Sequence, residues 1–215
     1  NGFGCDRDPR IYCHNIYIAG GENVQIINNT IVNGSNFGIV MHGIIHGIII
    51  RGNEIYGNNN GIGIDNGFYN GTAESLNNVL VENNKVHDNL DSWIISFGVV
   101  GNYTFRNNLV YGSPDGHVHM RPPDGIDDLP TNGAYVYGNT FYNMDQFFSI
   151  QFLGSNVVAK NNIFVCAAGS SCPGDLGLLT NYSHNIFLSI AQANSYFVNA
   201  PAGDFRLVAG SPAIN

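Results

Sequence analysis

The chain has 215 residues, enough for one large domain or two small ones, and 44% of them are apolar, so a continuous core can form. Only 11% are charged, well below the share of about a quarter usual in globular chains, while Gly contributes 27 residues and Asn 32. That much Asn excludes an ordinary helical or α/β protein, because Asn favours turns and caps over element interiors. A net charge of −8 with eight Lys plus Arg excludes a nucleic-acid backbone as partner, since that needs many cationic contacts.

In chain order, Asn1-Gly-Phe-Gly-Cys5 reads as a loop inside a fold with no signal peptide before it, so an N-terminal portion is expected to be missing. No apolar run approaches membrane length, so no membrane insertion is expected. Asn15-Ile-Tyr-Ile-Ala19 is a short strand, and Val24-Gln-Ile-Ile-Asn-Asn29-Thr-Ile-Val follows as strand, Asn turn, strand. The same pair of segments recurs. Gly38-Ile-Val-Met-His42 precedes Ile48-Ile-Ile-Arg-Gly-Asn53-Glu-Ile-Tyr, and Gly61-Ile-Gly-Ile-Asp65 precedes Val79-Leu-Val-Glu-Asn-Asn84-Lys-Val-His. Trp93-Ile-Ile-Ser-Phe97 precedes Tyr103-Thr-Phe-Arg-Asn-Asn108-Leu-Val-Tyr, and His117-Val-His-Met-Arg121 precedes Ala134-Tyr-Val-Tyr-Gly-Asn139-Thr-Phe-Tyr. Phe147-Phe-Ser-Ile-Gln151 precedes Val157-Val-Ala-Lys-Asn-Asn162-Ile-Phe-Val, and Tyr182-Ser-His-Asn185-Ile-Phe-Leu is a degenerate last copy.

The aligned Asn residues 29, 53, 84, 108, 139, 162 and 185 are spaced 24, 31, 24, 31, 23 and 23 apart. A unit of this length is too short for ankyrin or tetratricopeptide repeats, and the spaced leucines of leucine-rich repeats are absent. The segments are β-branched and aromatic, alternate in and out, and show no helical stripe. Three strands of about four to six residues and three turns fill such a unit, which stacks on the next at about 4.8 Å. The reading is an all-β, right-handed parallel β-helix solenoid of about seven coils. The aligned Asn residues sit at sharp turns, where Asn tolerates the left-handed conformation, and stack as an internal asparagine ladder.

This repeat resembles the parallel β-helix repeat of pectate-lyase-like proteins over residues 14–190. The tail Phe197-Val-Asn-Ala-Pro-Ala-Gly-Asp-Phe-Arg-Leu-Val-Ala-Gly-Ser-Pro-Ala-Ile-Asn215 is similar to the closing segment of many secreted bacterial β-helix proteins, polysaccharide-degrading ones among them. Residues 1–215 thus read as a single β-helix domain: coils over about 14–190, and a C-terminal cap over about 191–215 that covers the last apolar coil and its open edge. The part expected to be missing is the N-terminal part of the solenoid. The resemblance implies a secreted or cell-surface protein. It transfers no catalytic set, because the paired Asp motifs of polygalacturonase-type β-helices and the Arg and Lys signatures of pectate lyases are not present.

Cysteine usage bears on the compartment. Cys5 and Cys13 are eight apart, and Cys166 and Cys172 six apart. Neither pair has zinc-ligand spacing. Two short disulfide loops in an oxidising compartment are one reading, and four unpaired small core residues the other. Sequons at Asn28, Asn33, Asn70, Asn102 and Asn181 are glycosylation candidates.

The strand before each Asn-turn unit carries the candidate site. Its second and fourth residues are mostly Ile, Val, Met and Phe and point inward, so the first, third and fifth point outward. One outward column is then Asn15, Gly38, Gly61, Trp93, His117 and Phe147. The middle one is Tyr17, Val40, Gly63, Ile95, His119 and Ser149, and the third is Ala19, His42, Asp65, Phe97, Arg121 and Gln151. A strip of rings among polar groups suits a sugar polymer, with Tyr17, His42, Asp65, Trp93, Phe97, Phe147 and Gln151 as substrate-binding residues. Insertions at about 66–76 and 122–132 follow this strand and would wall the groove. His117, His119 and Arg121 share one face. Arg121 would neutralise a uronate carboxylate while His119 or His117 takes the C5 proton, as lyases and epimerases require. A solvated strand face is the other reading of the His pair. Asp65, Asp124, Asp127 and Asp128 offer hard oxygen ligands for calcium, or form a solvated loop. Glycoside hydrolysis is disfavoured, since the columns supply only one carboxyl.

Two functions follow. One is a secreted β-helix that binds extracellular polysaccharide, with uronate-polymer lyase or epimerase activity as the enzymatic form. The other is a non-catalytic fibre or adhesin segment, a rigid rod that self-assembles through its solenoid ends.

Overall fold

The recurring apolar segments form strands, and each strand pairs in parallel with its counterpart one repeat further on. The computed structural model describes residues 13–65, 68–69, 72–73, 76–91, 94–97, 101–113, 117–121, 133–144, 147–150, 157–170 and 181–214. For 65, 68–69, 72–73, 94–97, 117–121, 147–150, 157 and 181 it describes the backbone alone. Three parallel sheets run the length of the solenoid. The first holds Ile16–Ile18, Phe37–Met41, Asn60–Asp65, Ile94–Phe97, His117–Arg121 and Phe147–Ile150. The second holds Gly21–Ile27, Ile45–Arg51, Leu76–Glu82, Tyr103–Arg106, Ala134–Tyr137, Val157–Lys160 and Asn181–Ser183. The third holds Thr30–Val32, Glu54–Tyr56, Lys85–His87, Leu109–Tyr111, Thr140–Met144, Ile163–Cys166 and Ile186–Ser189. The chain visits the sheets in that order in the first six coils, and the described residues of the last coil hold a second-sheet and a third-sheet strand, so neighbours within a sheet are one full repeat apart. The insertion after Asp65 contains a small antiparallel pair, Phe68–Tyr69 with Thr72–Ala73. The second insertion, 122–132, lies outside the described residues.

Alternation of side chains drives one set of apolar residues from all three sheets into a single core. Ile39, Met41, Ile62 and Ile64 come from the first sheet, Ile48, Ile50, Val79 and Val81 from the second, and Ile55, Val86, Val110 and Phe141 from the third. Burying each such side chain is worth roughly 1.5–3 kcal/mol. The third-sheet column begins aliphatic and ends aromatic. The Phe141 and Phe164 rings stack at 5.1 Å and 4°, and Phe164 stacks on Phe187 at 5.1 Å and 11°.

The Asn ladder runs through this core between the second and third sheets. The backbone N–H and Nδ2 of Asn53 both donate to Oδ1 of Asn84, and those of Asn84 both donate to Oδ1 of Asn108. The arrangement continues through Asn139 and Asn162 to Asn185. Each Nδ2 also reaches a carbonyl of the preceding coil, as Asn108 does to Val81 at 2.9 Å. The left-handed residue is the one before the ladder position: Asn28, Gly52, Asn83, Asn107, Gly138, Asn161 and His184 all have φ between 53° and 68°. The ladder Asn was expected to take that conformation itself. Instead its neighbour makes the bend, which turns the ladder amide inward. Gly at position 52 is required twice over, because a Cβ there would lie 2.3 Å from Asn28 Oδ1 of the coil before.

A second, shorter ladder stands at the turn from the third sheet to the first. Gly34 N–H donates to Asn58 Oδ1, Asn58 N–H and Nδ2 to Asn89 Oδ1, and Asn89 N–H to Ser113 Oγ. Outside the core, the second sheet carries a charged row. Glu82 is 4% exposed, and its two carboxylate oxygens accept from Nε of Arg51 and Nε of Arg106, while Arg106 also donates to the Tyr137 hydroxyl. Burial by itself would raise the Glu82 carboxyl, but the Arg106 and Arg51 guanidiniums reverse this and hold it below the usual carboxylate range.

The C-terminal segment was expected to close the end of the last coil. It lies instead along the outer face of the third sheet. Ser189 caps a short helix, Ile190–Ala193, through a reciprocal pair with Gln192. An antiparallel pair follows, Phe197–Asn199 with Asp204–Leu207. Ala193, Phe197 and Ala200 pack with Tyr142, Val165 and Leu188 into a second apolar cluster. The reason is that the last third-sheet strands are apolar on both faces, so their outer face also needs cover. Phe187 and Tyr182, on the inner side of the final coil, stay 38% and 39% exposed.

The ladder predicts a gradient of cost. Asn108→Ala leaves both Asn84 donors without their acceptor in the core and should destabilise by roughly 3 kcal/mol in urea unfolding, whereas Asn29→Ala at the exposed end should cost under about 1 kcal/mol. Equal costs would remove the ladder as the organising contact. The charged row predicts acid sensitivity. The folded Glu82 pKa is below the unfolded value, so its stabilisation is present at neutral pH and is lost as pH falls through the folded value. Glu82→Gln should cost about 2 kcal/mol at neutral pH and flatten the acid limb of the stability curve below the ordinary glutamate range. Parallel curves for the two proteins would contradict this.

Candidate functional site

The outer face of the first sheet is built by its register. Cα partners run Tyr17, Val40, Gly63, Ile95, His119 and Ser149, which is the middle column read from the sequence. Beside it, Asp65 pairs with Phe97 and Phe97 with Arg121, and His117 pairs with Phe147. Ile39, Met41, Ile62 and Ile64 point into the core, so alternation puts the positions of the middle column on the outside.

At the first coils the side chains form a cluster of rings. Tyr17 is 53% exposed, with its ring 5.6 Å from His14 on one side and 5.6 Å from His42 on the other. His14 also lies 5.8 Å from Phe37, and its Nδ1 accepts the Phe37 N–H at 3.4 Å, which leaves the ring proton of the neutral tautomer on Nε2. Burial first, and then the nearby His42, lower the His14 pKa, so this ring stays neutral at physiological pH. Phe37 lies across the strip where a Cβ on Gly63 would come within 2.8 Å of its ring. Glycine at 63 therefore makes room for an aromatic ring on the outer face, beside the buried Val40. The strip thus offers stacking surfaces, the Nε2–H donor of a neutral imidazole and a phenol hydroxyl, groups that suit a hydroxylated ring.

Several expected site residues fall differently. Gly38 was placed outward, but a Cβ there would meet Ile55 Cγ2 at 2.8 Å and Asn58 Nδ2 at 2.9 Å, so this position faces the interior. Asn15 of the same column turns its amide onto Asn58 Oδ1 and the Val32 carbonyl. The second ladder at Asn58 recruits both, and only that tertiary contact could reveal it. Tyr17 keeps the place the sequence register gave it, four coils from His119 or about 19 Å at the strand spacing, and its ring neighbours are His14 and His42. His14 was not singled out from the sequence. The signal available was its place three residues before Tyr17, in the coil that stacks against His42.

For His117, His119, Arg121, Asp65, Phe97 and Phe147 the structure describes the strand path and register. Trp93, Gln151, Asp124, Asp127 and Asp128 lie outside the described residues. Among the described residues no group of three His, Cys, Asp or Glu side chains could hold a metal ion, and the proposed calcium ligands are not among those side chains. Cys13 and Cys166 are described and neither is free; Cys5 and Cys172 lie outside the described residues. Of the sequons, Asn28 and Asn33 sit exposed with positive φ, Asn102 is exposed and donates to Asn78 Oδ1, Asn181 is described by its backbone, and Asn70 lies outside. Among the described residues no helix is long and apolar enough to cross a membrane.

Comparison with known proteins agrees with the strand register. A family model described as a right-handed beta helix region matches residues 13–121, the coils that carry Tyr17 through Arg121. No curated protein and no solved structure matches the chain. With three parallel sheets, one coil per repeat and a continuous Asn ladder, the chain belongs to the right-handed β-helix family.

Proposed function

We propose that the protein is secreted or displayed at the cell surface and binds an extracellular polysaccharide along the outer face of its first sheet. The observation that carries this reading is the exposed Tyr17 ring between His14 and His42, at one end of a column whose register continues through Gly63 and Ile95 to His119. Coils about 4.8 Å apart set the outward groups of successive coils at a regular step along the solenoid axis, which suits a polymer laid along it. At the far end, Arg121 is proposed to pair with a uronate carboxylate while His119 or His117 accepts the C5 proton. The electron pair left at C5 then either expels the O4 substituent, giving an unsaturated sugar, or is reprotonated from the opposite ring face, giving the C5 epimer. Local disulfides Cys5–Cys13 and Cys166–Cys172 belong to the same proposal, since they suit an oxidising exterior.

A second reading has its own observation. Phe187 and Tyr182 expose interior-type rings at the last coil, which favours a rod that joins other copies through that end.

Affinity electrophoresis in gels containing polygalacturonate or alginate separates the two. Polysaccharide binding predicts retardation, weakened about three- to tenfold by Tyr17→Ala, with absorbance from unsaturated uronates if elimination occurs and loss of that signal in His119→Ala and Arg121→Ala. No retardation in either gel, together with filaments that vanish in Phe187→Ser, would establish the rod instead.

A further inference from the structure

The scarce cations of this chain gather on the outer face of the second sheet. Its register sets Arg51, Glu82, Arg106, Tyr137 and Lys160 in one outward column over five successive coils. Three of the chain's eight Lys and Arg residues therefore stand in a single line, each two coil steps, about 9.6 Å, from the next. Glu82 does not cancel them at the surface. Its side chain is 6% exposed and accepts the Nε–H of both arginines from below, while the Arg51 and Arg106 side chains stay 42% and 37% exposed. With Nε turned to Glu82, the Nη groups of Arg51 make no hydrogen bond among the described residues, and Arg106 uses only Nη1, on the Tyr137 hydroxyl. The Lys160 ammonium has no ion pair among the described residues. Three cations less one carboxylate leave the column at +2 in a chain of net charge −8. Guanidinium forks fixed at Nε present their free edge to an external carboxylate.

A different row runs beside the cations. Ile49, Leu80, Thr104, Tyr135 and Val158 pair along the same sheet and are half-buried, which makes a largely apolar floor. On the far side of this floor a cleft of about 300 Å³ is bordered by Asn23, Gln25 and Asn78 together with Ile49 and Leu80. The Asn23 and Gln25 amides make no hydrogen bond among the described residues, and Asn78 only accepts, through Oδ1 from Asn102. The face thus has cations on one edge, apolar surface in the middle and free amides on the other edge. A sugar acid has the complementary parts: a carboxylate on one edge, C–H groups on a ring face, and hydroxyls on the other edge.

We propose that the outer face of the second sheet binds a linear acidic polysaccharide along the solenoid axis. Carboxylates pair with Arg51, Arg106 and Lys160, ring faces lie on the Ile49 and Leu80 floor, and hydroxyls meet the Asn23, Gln25 and Asn78 amides. A polymer of identical acidic units repeats its charge at one interval along a straight chain, as this column repeats its cations. An extended acidic peptide is out of step, since its same-face side chains recur about every 6.6 Å. The local positive charge overcomes the repulsion that the net charge of the chain sets up. This face is separate from the first-sheet strip, and either site can fail alone.

Fluorescence anisotropy of the whole chain with end-labelled oligogalacturonate tests this, with the methyl-esterified oligomer as uncharged counterpart and polyglutamate as peptide polyanion. The expected result is binding of the acid oligomer, about tenfold weaker binding of its ester, and affinity that falls as NaCl is raised from about 20 to about 200 mM. Lys160→Gln removes a charge the fold does not use, so it should leave the melting temperature unchanged and weaken binding about three- to tenfold. Gln25→Glu puts a carboxylate at the exposed cleft edge and should weaken binding by a similar factor, again in a fully stable protein. No binding of the acid oligomer, equal binding of its ester, tighter binding of polyglutamate, or affinity that survives both substitutions would overturn the proposal. Affinity lost in Tyr17→Ala and kept in Lys160→Gln would place the polymer on the first sheet and overturn it as well.

Discussion

The buried amides of Asn53, Asn84, Asn108, Asn139 and Asn162 constrain everything else in this molecule. Each sits in an apolar core and must find partners there. The Oδ1 of the next coil accepts two of its protons, and a carbonyl of the coil before accepts another. A slip of one residue in any strand would leave several buried donors unsatisfied and would also turn core side chains outward. The 31-residue steps from Asn53 to Asn84 and from Asn108 to Asn139 show the strength of the constraint. The ladder contact is kept, and the additional residues fall, in the sequence, after the first-sheet strand.

Once the register is pinned, outward side chains become columns, and the three sheets acquire different chemistry. The first presents rings and imidazoles beginning at His14, Tyr17 and His42. The second presents Arg51, Glu82 and Arg106, where one buried carboxylate ties together cations from the coils on either side. The third presents the Tyr56, His87 and Tyr111 stack and then an apolar stretch that the C-terminal segment covers. Phe205 joins these last two regions, touching Tyr111 at 4.9 Å and Tyr142 at 5.2 Å. A cleft lined by Tyr142, Asn143 and Pro201 opens between this segment and the third sheet, because the segment lies across a sheet face rather than across the solenoid end.

The repeated apolar–Asn–apolar unit determined by itself the fold class, the coil length, the ladder positions and the middle column of the first sheet, because strand alternation and a fixed repeat are local properties of a chain. Which residue bends at each Asn turn was misassigned by one position, since only the stacked geometry shows that the ladder amide must point inward while its neighbour takes positive φ. Asn58, Asn89 and Ser113 form a ladder whose members differ in residue type, so their equivalence appears only when hydrogen bonds cross between coils. The same contacts pull Asn15 and Gly38 off the outer strip. His14, the Glu82 row, the Tyr142 cleft and the path of the C-terminal segment were likewise decided by tertiary structure. Each depends on residues far apart in sequence meeting across coils, and alternation along a single strand carries no record of what the next coil, or a returning tail, places against it.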